Sequence, residues 1–178
     1  MVRQALARGD TLLAYQPVMR ADGAGIAFYE GLIRLLDETG RVIPARDFIH
    51  VIEDQDLGRQ IDCASLRLGL AALHVAPTLR LSINMSARSI GYPGWMNMLH
   101  RAIRLQPELM SRLILEITET SAMQMPEIVL AFMETLQDKG VTFALDDFGA
   151  GQTAFRHLRH FCFDVLKIDG QFSRDVDT

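Results

Sequence analysis

Apolar positions along this chain follow two rhythms. Short runs rich in β-branched, leucine and aromatic residues occur at 12–18 (LLAYQPV), 25–35 (GIAFYEGLIRL), 79–84 (LRLSIN), 112–118 (RLILEIT), 141–147 (VTFALDD) and 163–169 (FDVLKID), and each predicts a strand. Between most of them apolar residues recur at helical spacing, over 44–54 (PARDFIHVIED), 59–73 (RQIDCASLRLGLAAL), 95–105 (WMNMLHRAIRL) and 126–140 (PEIVLAFMETLQDKG). Pro44 suits a first helical turn and Gly140 a helix end. The ADGAG link between the first two strands is long enough for an antiparallel turn, and from residue 79 strand and helix alternate. Nearly continuous apolar strands in such an alternation point to a parallel sheet covered by helices, either a (β/α) barrel or an open doubly wound sheet.

The strands share an anomaly: each carries, at or near its end, a polar residue that a buried strand would avoid. These are Glu30, Asn84, Glu116, the adjacent pair Asp146 and Asp147, and Lys167 with Asp169. From Asn84 onward the steps are 32, 30 and 21 residues to Glu116, Asp146 and Lys167, about the length of one strand-helix unit. Parallel α/β folds gather the carboxyl ends of their strands on one face, where ligands bind. Two adjacent carboxylates after an apolar run repel each other and are costly to desolvate without a compensating cation or proton. An oxygen-only set lacking His and Cys suits a hard cation such as Mg²⁺ or Mn²⁺. Paired metals of this kind serve phosphate ester cleavage, with Lys167 placed to orient a water or balance charge. Singly, Glu30 reads better as a capped or ion-paired strand residue and Asn84 as a cap or turn former; the joint arrangement is what points to a site.

Composition narrows the field. The chain has 178 residues, 49% of them hydrophobic, enough for one domain with its own core. Its net charge is −4 and its 18 basic residues are scattered, so the footprint of a duplex nucleic-acid binder is missing. No apolar stretch approaches the roughly 20 residues of a membrane span, and no signal core opens the chain, which leads to the expectation of a cytoplasmic protein without a membrane segment. Cys63 and Cys162 lack metal-type spacing and are expected to be packed free thiols.

The string YQPV, YEGLIR, IPARDFI, SINMS, LEITET, DDFGAG and LKIDGQF, in this order and spacing, resembles the EAL domains, bacterial phosphodiesterases that linearise cyclic di-GMP. The resemblance runs along residues 1–178 and implies a modified TIM (β/α)8 barrel with an antiparallel first strand. It implies that Glu30 is the glutamate that names the family and a metal ligand, that Asn84, Glu116 and Asp146 match further ligands of a pair of Mg²⁺ or Mn²⁺ ions, and that Asp147 matches the second aspartate, which holds the other metal. Lys167 takes the place of the lysine near the attacking water, and Gln16, Arg34 and Asp169 match substrate-binding positions. Glu119, Phe148 and Gly149 match residues that steady the loop FGAGQTAF, which couples dimerisation to catalysis in the family. A homodimer follows from the resemblance, as does a sensor or GGDEF domain in a longer parent.

The sequence departs from the family in two ways. Gly31 replaces the signature alanine, and losing a methyl beside the ligand is expected to loosen the strand by under about 1 kcal/mol. A (β/α)8 barrel takes about 250 residues, whereas here the last barrel strands, with a further glutamate ligand and a guanine-contacting glutamine, have no counterpart; the chain corresponds to the N-terminal three quarters of the barrel. Weak or no turnover is expected of these residues alone. The leading expectation is hydrolysis of cyclic di-GMP to linear pGpG. The alternatives are an inactive EAL module acting as a cyclic di-GMP receptor or protein-interaction domain, and, ranked last, an enolase-like barrel enzyme. Asp147, Phe148 and Gly149 also spell the kinase triplet DFG, a chance match without the accompanying kinase loops. His157 and His160 are expected to be a solvated helix face.

Overall fold

The computed structural model describes residues 1–149 and 161–172. Its strands are β1 (Thr11–Met19), β2 (Ile26–Leu36), β3 (Val42–Pro44), β4 (Leu81–Asn84), β5 (Leu113–Thr118), β6 (Thr142–Phe148) and β7 (Val165–Ile168). They form one sheet in the order β1-β2-β4-β5-β6-β7, with β3 on β2. β1 and β3 run antiparallel to β2, and every pairing from β2 through β4, β5 and β6 to β7 is parallel. This is the barrel-type arrangement with an antiparallel first strand; among the described residues the sheet does not close. The helices are α1 (Val2–Arg8), α2 (Ile49–Ile52), α3 (Asp56–Val75), α4 (Pro93–Leu105), α5 (Glu119–Gln124) and α6 (Pro126–Gln137).

Strand alternation sorts side chains onto two faces. On the outer face Ile33, Leu35, Leu81, Ile83, Leu113, Leu115, Ile117, Phe143 and Leu145 join the main core with Leu66, Leu73, Leu99 and Leu136 of the helices. Trp95, Phe132 and Phe143 pack through that layer with successive centroid separations of 5.8 Å, the first pair tilted and the second edge-to-face. On the inner face a smaller apolar layer of Phe28, Ile114 and Ala144, flanked by Val165, forms a floor. The next inward-facing position up each strand is Glu30, Glu116, Asp146 or Lys167. The polar site therefore stands on an apolar floor because the side-chain period is two.

The structure corrects several local expectations. The helix over 44–54 is replaced by β3, a 3-10 turn at Ala45–Asp47 and the single turn α2. Phe48, at φ −140° and ψ −22°, separates the two turns: burying it at 3% exposure outweighs a continuous helical run. α1 and α5 were not foreseen. α5 starts because Thr118 Oγ1 accepts the Ser121 N–H at 3.2 Å, a side-chain cap that a reading of apolar rhythm overlooks. Both cysteines are free; Cys63 is half-buried, but Cys162 is exposed, not packed. His157, His160 and most of the FGAGQTAF loop lie outside the described residues.

Candidate functional site

Glu30, Asn84, Glu116, Asp146 and Lys167 meet at the carboxyl ends of β2, β4, β5, β6 and β7. In register, Glu30 pairs with Ser82, Asn84 with Glu116, and Glu116 with Ala144. Asn84 thus stands two residues above the level of Glu30, and Asp146 two above that of Glu116, and this stagger brings five residues from five strands around one point.

Lys167 is the hub. Its Nζ donates to Glu116 Oε2 at 2.7 Å and Glu30 Oε2 at 3.0 Å, and lies 3.2 Å from Asp146 Oδ1. The Asn84 amide donates to Glu30 Oε1 at 3.1 Å, so both oxygens of Glu30 are oriented. Burial alone would lower the Lys167 pKa, but Glu116, Glu30 and Asp146 outweigh it and hold the ammonium charged well above its ordinary value. Glu116 is fully buried, and its carboxyl is pushed up by burial and by Glu30, with Lys167 opposing. Its Oε1 has no hydrogen-bond partner among the described residues.

One oxygen from each of Glu30, Glu116 and Asp146 lies within 4.8 Å of the others. Among the described residues three carboxylates against one ammonium leave a formal surplus of two negative charges, and Oε1 of Glu116 has no donor in hydrogen-bonding geometry, although the Ser82 side chain also lowers the Glu116 pKa. The chemistry of this donor set fits a hard divalent cation bound through oxygen.

Asp147 reaches the same region through a backbone irregularity. Strict alternation would send it to the face opposite Asp146, but the β6–β7 register shifts between Leu145 and Phe148, and Asp147 adopts φ 55°, a left-handed conformation that aspartate tolerates better than most side chains. Burial, Asp146 and Asp169 together raise its pKa. Asp169 sits just past β7, its N–H donating to the Phe148 carbonyl at 3.2 Å and its Oδ1 accepting from the Gln171 N–H at 2.7 Å.

The remaining predicted residues divide. Gln16 is directly opposite Glu30 in the antiparallel register and exposed on the same face. Arg34 lies on that face four residues further along β2, where its guanidinium donates to the Ile33 carbonyl at 2.9 Å and touches none of the carboxylates. Buried Glu119 accepts the Gly149 N–H at 2.9 Å, which anchors the end of β6 to the start of α5. At Gly149, φ is 94° and a Cβ would fall 2.8 Å from the Phe172 ring, so only glycine fits. Phe148 is partly buried against the main core. Sequence reading overlooked Ser82, fully buried on the inner face in register with Glu30; the signal was its place two residues before Asn84 in LSIN.

The EAL domain model matches residues 1–178. The chain belongs to the EAL domain family. This EAL domain is 31% identical over 181 residues to the cyclic di-GMP phosphodiesterase PdeB of Shewanella oneidensis, covering 98% of the chain and 21% of PdeB. It is 29% identical over 180 residues to the cyclic di-GMP phosphodiesterase NbdA of Pseudomonas aeruginosa, covering 98% and 23%. The domain thus spans under a quarter of the length of these curated relatives. Among solved structures it resembles the PaMucR phosphodiesterase in its c-di-GMP complex, with a TM-score of 0.78, 28% identity and coverage of 99% of this chain and 75% of that one. It also resembles the FimX EAL domain of Pseudomonas aeruginosa bound to c-di-GMP, with a TM-score of 0.80, 27% identity and coverage of 99% and 73%. Among the described residues, no helix of this EAL domain is long and apolar enough to cross a membrane.

Proposed function

We propose that this EAL domain hydrolyses cyclic di-GMP to linear pGpG with the help of Mg²⁺ or Mn²⁺. The observation that carries the proposal is the convergence of Glu30, Glu116 and Asp146 within 4.8 Å, together with the unpartnered buried oxygen of Glu116.

Glu30, Asn84, Glu116, Asp146 and Asp147 would hold the metal pair, through carboxylate oxygens and the Asn84 side-chain oxygen. When bound, such ions polarise a phosphoryl oxygen, lower the pKa of a coordinated water and stabilise the leaving oxygen. Lys167 brings a fixed positive charge to the floor of the cluster and limits repulsion among the carboxylates. It is also the nearest donor to hold a water beside Glu30 and Glu116. Asn84 keeps Glu30 turned so that Oε2 faces inward. Gln16, next to Glu30, and Arg34, at the rim, bind the dinucleotide, Arg34 through the forked donors that suit phosphate. Asp169 lines the same wall. Glu119, Phe148 and Gly149 hold the loop that follows β6.

As part of the same reading the protein acts in second-messenger signalling in the cytoplasm, as a homodimer. The test is chromatography of products from cyclic di-GMP with Mg²⁺ or Mn²⁺, using the protein at the length of the solved EAL domains, beside its Glu30→Ala form. Formation of linear pGpG by the parent, with a loss of at least about 100-fold in Glu30→Ala, is expected. Nucleotide binding with no metal-dependent cleavage would make the domain a receptor.

A further inference from the structure

Asp62 belongs to the buried stripe of α3, between Ile61 and Ser65, and none of the chemistry above uses it. It is 8% exposed. Its Oδ2 accepts the Ser86 N–H at 2.9 Å and the Ser89 hydroxyl at 2.6 Å. Both donors lie in the segment that leaves β4 directly after Asn84. Ser86 Oγ accepts the Arg88 N–H at 3.2 Å and closes the 3-10 turn Ala87–Ser89.

That turn is tied to the next strand as well. The Ala87 N–H donates to Ser121 Oγ at 2.8 Å, and the Ser121 N–H donates to Thr118 Oγ1, two residues past Glu116. The Met85 N–H donates to the Glu116 carbonyl at 2.9 Å. A single buried acid therefore anchors the exit of β4, which presents Asn84, and the segment it holds is tied in turn through Ala87 and Met85 to the exit of β5, which presents Glu116. An ionisable group is a costly way to fill an apolar stripe, and burial pushes this carboxyl up to about 7. Its directed bonds, and not its packing, account for its place.

We infer that Asp62 is a positioning residue for the carboxylate cluster: by clamping Ser86 and Ser89 it fixes the exit of β4, so that Asn84 keeps its amide on Glu30 and the ligand set keeps its spacing. This rests on the metal-dependent reading of the site. Outer-shell partners that orient ligands typically change metal affinity by 10- to 100-fold when removed.

The test is binding of Mn²⁺ alone to the protein, by calorimetry at a temperature where every variant is folded. Asp62→Ala is expected to bind about tenfold more weakly. Ser89→Ala, a smaller change that removes one of the two bonds, should move in the same direction by less. Asp62→Asn, whose carbonyl can accept both donors, should bind close to the parent. Ile61→Val trims the same helix face without touching the clamp and should leave affinity unchanged. Parental affinity in both Asp62→Ala and Ser89→Ala, or an equal loss in Ile61→Val, overturns the inference. If the parent itself binds no Mn²⁺, the metal reading fails, and the NMR signals of the Asn84 side-chain amide decide the positioning role. A displacement in Ser89→Ala that is absent in Ile61→Val upholds it, and unmoved signals sink it.

Discussion

Glu116 and Asp62 are both buried carboxylates with raised pKa values, yet their surroundings differ in kind. Glu116 faces an ammonium at 2.7 Å, two further carboxylates and the Ser82 side chain, which opposes the rise in its pKa, while its Oε1 has no donor in hydrogen-bonding geometry among the described residues. Asp62 faces an amide and a hydroxyl, neutral donors that bind either protonation state of the group. The first arrangement keeps charge in excess and leaves a coordination position available, as a cation site requires. The second satisfies direction without accumulating charge, as a clamp requires. Burial alone therefore does not separate a site residue from a scaffold residue; the sign and number of the partners do.

Removing the cation is the most severe way to break this comparison. Lys167→Met strips three carboxylates of their shared ammonium, and the loss should reach about 3 kcal/mol or more, as for other buried ion pairs deprived of one partner. Urea unfolding in the presence of a chelator measures it, and added Mn²⁺ should recover part of the loss. Equal stability of variant and parent in chelator would mean that the cluster needs no internal cation.

Asp62 sharpens the comparison through pH. Its folded pKa, about 7, lies above the ordinary aspartate value of about 4, so the folded state binds the extra proton between those values. Its contribution is intact below pH 4 and is lost as pH rises through 7, up to about 4 kcal/mol. Asp62→Asn removes the titration: the parent should lose stability relative to this variant across pH 4 to 7, and thermal melts across that range would read the difference. A constant difference would show that Asp62 keeps an ordinary pKa.

Gly31 gives the smallest effect. A methyl there would meet Ser82 O at 3.1 Å and the ends of Leu13 and Leu81 at 3.3 Å, contacts that small shifts of the two leucines partly relieve. Gly31→Ala should change stability by under about 1 kcal/mol, measured by the urea midpoint. A drop of several kcal/mol would show that this strand pairing is built around glycine.

Much of the site was legible in sequence because strand alternation and the recurring unit length both act locally. The pattern alone places Glu30, Asn84, Glu116, Asp146 and Lys167 on one face. Asp147 could not be placed from period two, since its left-handed backbone inverts the rule. Asp62 was visible in principle, as an acid within the stripe Gly58, Ile61, Asp62, Ser65, Leu66, Gly69. What it clamps depends on the turn after β4, and no local rhythm encodes that. The short turns at 45–52 failed for a related reason: one buried phenylalanine decided the backbone there.

Lys167 also carries a consequence for how the molecule assembles. Its bonds to Glu30 and Glu116 join residues 137 and 51 positions apart in the chain. Contacts of such long sequence separation form only after large loops have closed. On a ribosome, the strands bearing all three acids emerge before the lysine, which follows Asp146 by 21 residues. Until β7 docks, the nascent sheet must hold its acids apart, protonate them or borrow a cation from solution, so that the ammonium of this cluster arrives only after all three acids that it binds.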